Sequence, residues 1–333
     1  MPIRLGISGF GRIGRNLLRI GYRQPDLEFV AISDLADLES LAYLFAHGTI
    51  EGRFPAPVAA EGNSLRVGER RIRYIRNSTP GVIPWDVLGV DVVLECTGSF
   101  RRREELQRHL DAGAGKVILS TPALDAIDRT IINGINDADL RPGDRIVSNG
   151  SSSTHALALV LKILCDAVGV EWALMTTVHA FTGDQTLSDT AQPGPRWSRS
   201  AAKNIIPNPS WAPQAVEQLL PQMAGRLQGL ALNVPVMVGS NIDLVTGLGG
   251  DLPAEEINAM MRGAASGAYA GLLDYTEEPI VSSDVKGNLA SAVFDASATM
   301  DLGGGIVKTL TWFDNGWAYA ARMLDLARAM AAA

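Results

Sequence analysis

The chain has 333 residues, 47% hydrophobic and 20% charged, enough for two folded domains that each bury a core. A net charge of −7 excludes a general binder of nucleic acid or anionic membranes, and no apolar run reaches the roughly 18–20 residues of a spanning helix. The sequence enters a strand pattern directly, without a leader, and its two cysteines, Cys96 and Cys165, lie in apolar segments. The expectation is a cytoplasmic protein with two buried free thiols and no metal site.

Residues 3–8 predict a short apolar strand, followed by Gly9-Phe10-Gly11-Arg12-Ile13-Gly14 and then apolar residues at helical spacing. Here G-x-G-x-x-G has the strand–turn–helix setting it needs. The first glycine makes the tight turn, the second lets backbone approach a pyrophosphate, and the third lets helix and strand pack closely. A second strand, over 29–32, runs into Ser33-Asp34, and Asp34 lies 20 residues after Gly14. A carboxylate at that spacing meets the adenosine ribose and repels the extra phosphate of NADP, so NAD is the expected dinucleotide. The bland alternative is an ordinary glycine-rich turn and a surface aspartate.

Further strands are predicted over 91–95 and 116–120, separated by a helix over about 103–112. This alternation points to a parallel doubly wound sheet. The strand ends carry Thr97, Gly98 and Ser120, where ligands sit in such an architecture. The cluster Arg101-Arg102-Arg103 at a helix start reads as a solvated patch beside Glu104 and Glu105 rather than a phosphate site.

The segment 147–165 passes from a strand through a serine-rich turn into an apolar helix, and Ser151, Ser152 and Ser153 are all good helix caps. Its residues Ser148-Asn149-Gly150-Ser151-Ser152-Ser153-Thr154-His155-Ala156 resemble the S-N-A-S-C-T-T-N-C motif of phosphorylating glyceraldehyde-3-phosphate dehydrogenases. The resemblance extends along nearly the whole chain. Thr176-Thr177-Val178-His179-Ala180-Phe181-Thr182-Gly183-Asp184-Gln185 is similar to the family's T-T-x-H-A-Y-T-x-D-Q, and Trp312-Phe313-Asp314-Asn315 to its W-Y-D-N. The implied fold is α/β: a Rossmann-type parallel-sheet domain over 1–150, then an α+β substrate domain over 151–316. A last helix, over about 317–330, packs back on the first domain. A homotetramer is implied as well.

The same resemblance places the family's general base on His179, its nicotinamide-binding asparagine on Asn315, and two substrate-pocket residues on Thr182 and Asp184. Its nucleophilic cysteine, however, falls on Ser152. Its two substrate-phosphate arginines become Trp197 and Asn233, and its inorganic-phosphate segment T-S-T-G becomes Asn208-Pro209-Ser210-Trp211. A serine is far harder to ionise than a thiol, and neither Trp nor Asn offers the charge-assisted bonds of arginine. His155 replaces an asparagine and is either a pocket wall or a core residue.

These changes fall on one pocket while the dinucleotide motif is kept, so the expectation is a substrate site rebuilt for an unphosphorylated or larger small molecule. His179 would act as base and Ser152 as polar anchor or weak nucleophile. Two alternatives stay open: an enzyme that transforms NAD or a modified dinucleotide, and a catalytically silent NAD-binding protein.

Overall fold

The computed structural model describes all residues, Met1–Ala333. Two units emerge, Met1–Gly150 together with Ala320–Ala333, and Ser151–Tyr319. In the first, β1 (Ile3–Ser8), α1 (Arg12–Gly21), β2 (Leu27–Ser33) and α2 (Leu38–Ala46) lead to a small hairpin, β3 (His47–Gly48) and β4 (Gly52–Arg53). An antiparallel meander follows: β5 (Val58–Glu61), β6 (Ser64–Val67) and β7 (Arg70–Ile75). The one-turn helix α3 (Trp85–Leu88) precedes β8 (Val92–Glu95), α4 (Arg103–Asp111), β9 (Lys116–Leu119), β10 (Arg129–Thr130) and β11 (Ile146–Ser148).

These strands form a nine-stranded sheet in the order β10-β11-β9-β8-β1-β2-β7-β6-β5. The pairs from β10 to β7 are parallel and the meander at the edge is antiparallel. The parallel strands read as near-continuous apolar runs because both faces are covered, and Val92, Val93 and Leu94 are all buried. The strand order changes direction at β1, so the ends of β1 and β8 open a crevice of the kind that holds dinucleotides.

The second unit opens with α5 (Ser152–Ala167) and β12 (Val170–Ala180), then β13 (Ile206–Pro209), α6 (Ala212–Leu219), β14 (Leu227–Val234) and β15 (Ser240–Leu248). It continues with α7 (Ala254–Ser266), β16 (Leu273–Thr276), β17 (Ala292–Asp301) and β18 (Ile306–Phe313), and α8 (Trp317–Ala332) closes the chain. The seven-stranded sheet runs β13-β14-β12-β15-β18-β17-β16. On β12 the alternation is plain: Ala173, Met175 and Thr177 are buried, whereas Trp172 and Leu174 are exposed. The helix α5 packs on this sheet and is itself almost wholly buried from Ser153 to Leu161.

From Ala320 onward α8 clusters with the first unit, where Lys116 Nζ donates to the Met330 carbonyl and Arg328 Nε meets Asp26 at 2.6 Å. Both cysteines are free thiols in partly buried residues, with the Cys96 sulfur on the covered side. The arginine cluster is a helix start. Glu105 accepts from the Arg101 and Arg102 backbone N–H groups at 3.0 and 2.9 Å, and Arg103 pairs with Asp128 at 2.8 Å. Glu105 therefore offsets the dipole penalty that the arginines bring.

Candidate active site

In the first unit the glycine turn is shaped by exclusion. Gly9 has φ +90, and a Cβ there would lie 2.7 Å from the Thr97 backbone nitrogen. A Cβ on Gly14 would lie 2.3 Å from the Gly9 carbonyl, so helix α1 and the turn touch without room for a side chain. A Cβ on Gly11 would meet nothing within 4 Å, which leaves the turn open on the side where an anion approaches the N-terminus of α1. Asp34, at the end of β2, accepts from Phe10 N through Oδ2 at 2.7 Å and from Ala36 N through Oδ1 at 3.0 Å. Its carboxylate is thus tied both to the glycine turn and to its own loop.

Thr97 is fixed from beneath by a buried chain that the sequence did not reveal. Trp85 Nε1, which can only donate, gives its hydrogen to His109 Nδ1 at 3.0 Å. His109 therefore carries its proton on Nε2 and donates it to Glu95 Oε2 at 3.0 Å, and Glu95 Oε1 accepts from Thr97 N at 2.8 Å. Trp85, Glu95 and His109 are all 0% exposed. Beside them Ser120 N donates to the Glu95 carbonyl at 3.0 Å, and burial, reinforced by Glu95, pushes the Cys96 thiol far above its ordinary range. A thiol shifted in that direction is a weaker nucleophile.

In the first unit Arg12 Nε and Nη2 are buried without partners, donors that suit a dinucleotide's phosphates. In the second unit, taken by itself, Oδ1 of Asn315 is a buried acceptor without a partner. Asn315 is held by its neighbour: Asp314 accepts from Gly316 N and Trp317 N through Oδ1 and from Gly287 N through Oδ2.

In the second unit Ser151 alone caps α5, accepting from Thr154 N at 3.2 Å, so Ser152 is the first helical residue rather than a cap. It is partly exposed. His179 stands near the end of β12. Its Nδ1 lies 2.6 Å from the Ala180 carbonyl, which can only accept, so the proton resides on Nδ1 and Nε2 is the basic nitrogen. The ring packs edge-on to Phe313 at 6.1 Å between centroids.

Across the sheet His179 is in register with Asn233 on the parallel strand β14, so the two side chains share a face. Asn233 is 8% exposed and bonded at both ends: Oδ1 accepts from Asn208 Nδ2 at 2.5 Å, and Nδ2 donates to Gln185 Oε1 at 2.8 Å. The orientation of all three amides follows from one backbone donor. Thr182 N gives its hydrogen to Gln185 Oε1 at 3.2 Å, which fixes that atom as oxygen and propagates along the ladder. Thr182 Oγ1 also bonds the Asp184 carboxylate. The structure therefore joins Thr182, Asp184 and Asn233, and adds Gln185 and Asn208, which belonged to quoted motifs but carried no expected role.

The segment 208–213 has closed on itself. Ser210 Oγ accepts from Ala212 N at 3.3 Å, and the next residue, Pro213, has no N–H. Two of the donors that make a helix N-terminus attractive to anions are thereby withdrawn from α6. Trp211 projects outward at 68% exposure, and Trp197 is half-buried in the preceding loop. Of the two readings of His155, its surroundings favour the core residue: it is 1% exposed and edge-on to Tyr319 at 6.1 Å.

Residues 3–103 match the NAD binding domain of glyceraldehyde 3-phosphate dehydrogenase, and residues 151–315 match its C-terminal domain. The glyceraldehyde-3-phosphate dehydrogenase 2 of Streptomyces arenae is 44% identical over 329 residues, 98% of either chain. The Pseudomonas aeruginosa enzyme is 44% identical over 336 residues, and that of Geobacillus stearothermophilus 41% over 328, each spanning at least 98% of both chains. The chain belongs to the glyceraldehyde-3-phosphate dehydrogenase family. It is an NAD-binding, oxidoreductase-type member with the family's Rossmann domain, and NAD is its cofactor.

Proposed function

We propose that this member of the glyceraldehyde-3-phosphate dehydrogenase family is an NAD-dependent oxidoreductase for an unphosphorylated or larger substrate, without phosphorylating activity. The observation that carries this reading is the amide ladder. The residue in place of a phosphate-binding arginine has both ends of its side chain bonded within the protein. The withdrawn donors of α6 support the same conclusion at the second phosphate site.

In this reading His179 Nε2 accepts the hydroxyl proton of a bound alcohol or carbonyl hydrate, and Ser152 Oγ hydrogen-bonds the same substrate oxygen. NAD, when bound, supplies the hydride acceptor, so the substrate loses one hydride and one proton and gains a C=O bond. No covalent thiol is required. The partly exposed apolar residues on the outer sheet face, Leu174 and Leu230 among them, support a homo-oligomer built on that face, a tetramer by family resemblance. The composition supports a cytoplasmic location.

NAD reduction measured across alcohols and aldehydes, with and without a phosphate ester, tests the reading. Turnover of unphosphorylated substrates, falling by about 10²–10⁴ in His179→Ala, is the expected result. Robust phosphate-dependent oxidation of glyceraldehyde 3-phosphate would overturn the substrate assignment, and turnover that survives His179→Ala would overturn the mechanism.

A further inference from the structure

The Asp34 loop is clamped by consecutive residues from the end of a neighbouring strand. Strands β2 and β7 are parallel, with Ile32 opposite Tyr74 and Ser33 opposite Ile75. Past that point Asp34 N donates to the Ile75 carbonyl at 3.2 Å, and Arg76 Nε donates to the Leu35 carbonyl at 3.2 Å. Between them the Tyr74 hydroxyl reaches the Asp34 carbonyl at 3.1 Å and the Ala36 carbonyl more closely. One phenolic proton is thus shared between two carbonyls of the same loop. Tyr74 is 7% exposed, while Leu35 beyond it is 66% exposed, so this hydroxyl is an inner anchor of an outward loop.

We propose that Tyr74 is a positioning residue for the cofactor, acting through Ala36 on the Asp34 carboxylate that distinguishes NAD from NADP. The path is short. Tyr74 holds the Ala36 carbonyl, the Ala36 N–H holds Asp34 Oδ1, and Phe10 N from the glycine turn holds Oδ2. Each carboxylate oxygen accepts one backbone hydrogen and keeps capacity for one more, which suits the two hydroxyls of a ribose. A phosphate in place of one hydroxyl meets the fixed negative charge instead. If the loop is released, the carboxylate can swing away, so both the affinity for NAD and the penalty on NADP decline together.

Fluorescence titration of NADH and NADPH onto the protein, Tyr74→Phe, Asp34→Asn and the double variant tests this without any turnover. The expected result is a Kd for NADH about tenfold higher in Tyr74→Phe, with NADPH changed by no more than about twofold. In the Asp34→Asn background the tyrosine change should have little further effect on NADH, because its action passes through the carboxylate. An unchanged NADH Kd would overturn the proposal. Equal weakening of NADH and NADPH, or the same penalty in both backgrounds, would reduce Tyr74 to a general structural role and overturn it equally.

Discussion

The two halves of this chain handle their polar groups in opposite ways. Around the glycine turn, space and donors are left over: Gly11 faces open space and Arg12 keeps buried nitrogens without partners. In the substrate half the amide ladder pairs most of its own groups, with Gln185 Nε2 left as a buried donor without a partner. Asn233 is bonded at both ends, and Ser210 and Pro213 remove donors from the start of α6. A site retained for a ligand carries unmet hydrogen-bonding capacity, because the ligand completes it. Internal pairing closes a position to a ligand, and it is favoured because a buried unsatisfied group costs about 1–3 kcal/mol. Under the proposed function, this contrast is what lets one chain keep its dinucleotide while taking another substrate.

The sharpest way to break the comparison is at the glycines. Gly14→Ala drives a Cβ to 2.3 Å from the Gly9 carbonyl, a backbone atom that cannot swing aside. A loss of about 3 kcal/mol in unfolding free energy is expected, together with loss of NADH binding. Gly11→Ala meets no protein atom. It should leave thermal unfolding within about 0.5 kcal/mol of the parent and weaken only the cofactor, because its methyl occupies the anion's approach. Equal effects of the two changes on stability would show that the turn is not shaped in this way.

The ladder comes next. Asn233→Leu keeps the size of the side chain but strands Asn208 Nδ2 and removes one donor to Gln185 Oε1. A loss of about 2 kcal/mol, read from the urea midpoint, is expected even though no ligand is present. A neutral outcome would mean that the asparagine is not an internal structural element.

These two predictions draw on features that differ in how far the sequence revealed them. Gly9, Gly11, Gly14 and Asp34 were legible because the site is written in backbone geometry, where a residue type at fixed spacing has one meaning. At 152, 197 and 233 the sequence offered only an expectation, of departures from a motif. Their consequences were not legible. That Asn233 would join Asn208 and Gln185 depends on strand register, which brings residues 25 and 48 positions apart in sequence into contact. The Trp85–His109–Glu95 chain was invisible for the same reason, since nothing local marks a tryptophan and a histidine 24 residues apart as partners. His155 was ambiguous because helical spacing alone does not say which face is covered.

A smaller effect should follow from returning sulfur to the helix start. In Ser152→Cys the thiol would occupy the first position of α5, where the helix dipole favours an anion. Alkylation at pH 7 should proceed about tenfold faster at residue 152 than at Cys165, whose thiol is pushed up by burial, with Asp166 adding to the shift. The variant should still fail to use glyceraldehyde 3-phosphate, because the ladder and α6 are unchanged. Full phosphorylating activity from this one substitution would show that the missing thiol alone separates the chain from its relatives' chemistry.

The smallest effect concerns the tyrosine that clamps the Asp34 loop. Burial, with a lesser contribution from the Asp34 carboxylate, pushes the Tyr74 phenol up to about 12. An unfolded tyrosine ionises near 10, so between about pH 10 and 12 the unfolded chain releases a proton that the folded one retains. The hydroxyl's contribution is therefore complete below pH 10 and is lost as the pH rises through that window. Other phenols and lysines titrate there too, so the difference between the parent and Tyr74→Phe isolates this group. The parent should be more stable by about 1 kcal/mol or less at pH 8, and the gap should close by pH 11. A gap that persists at pH 11 would place the neutral hydroxyl outside the clamp, and with it the route by which Tyr74 reaches Asp34.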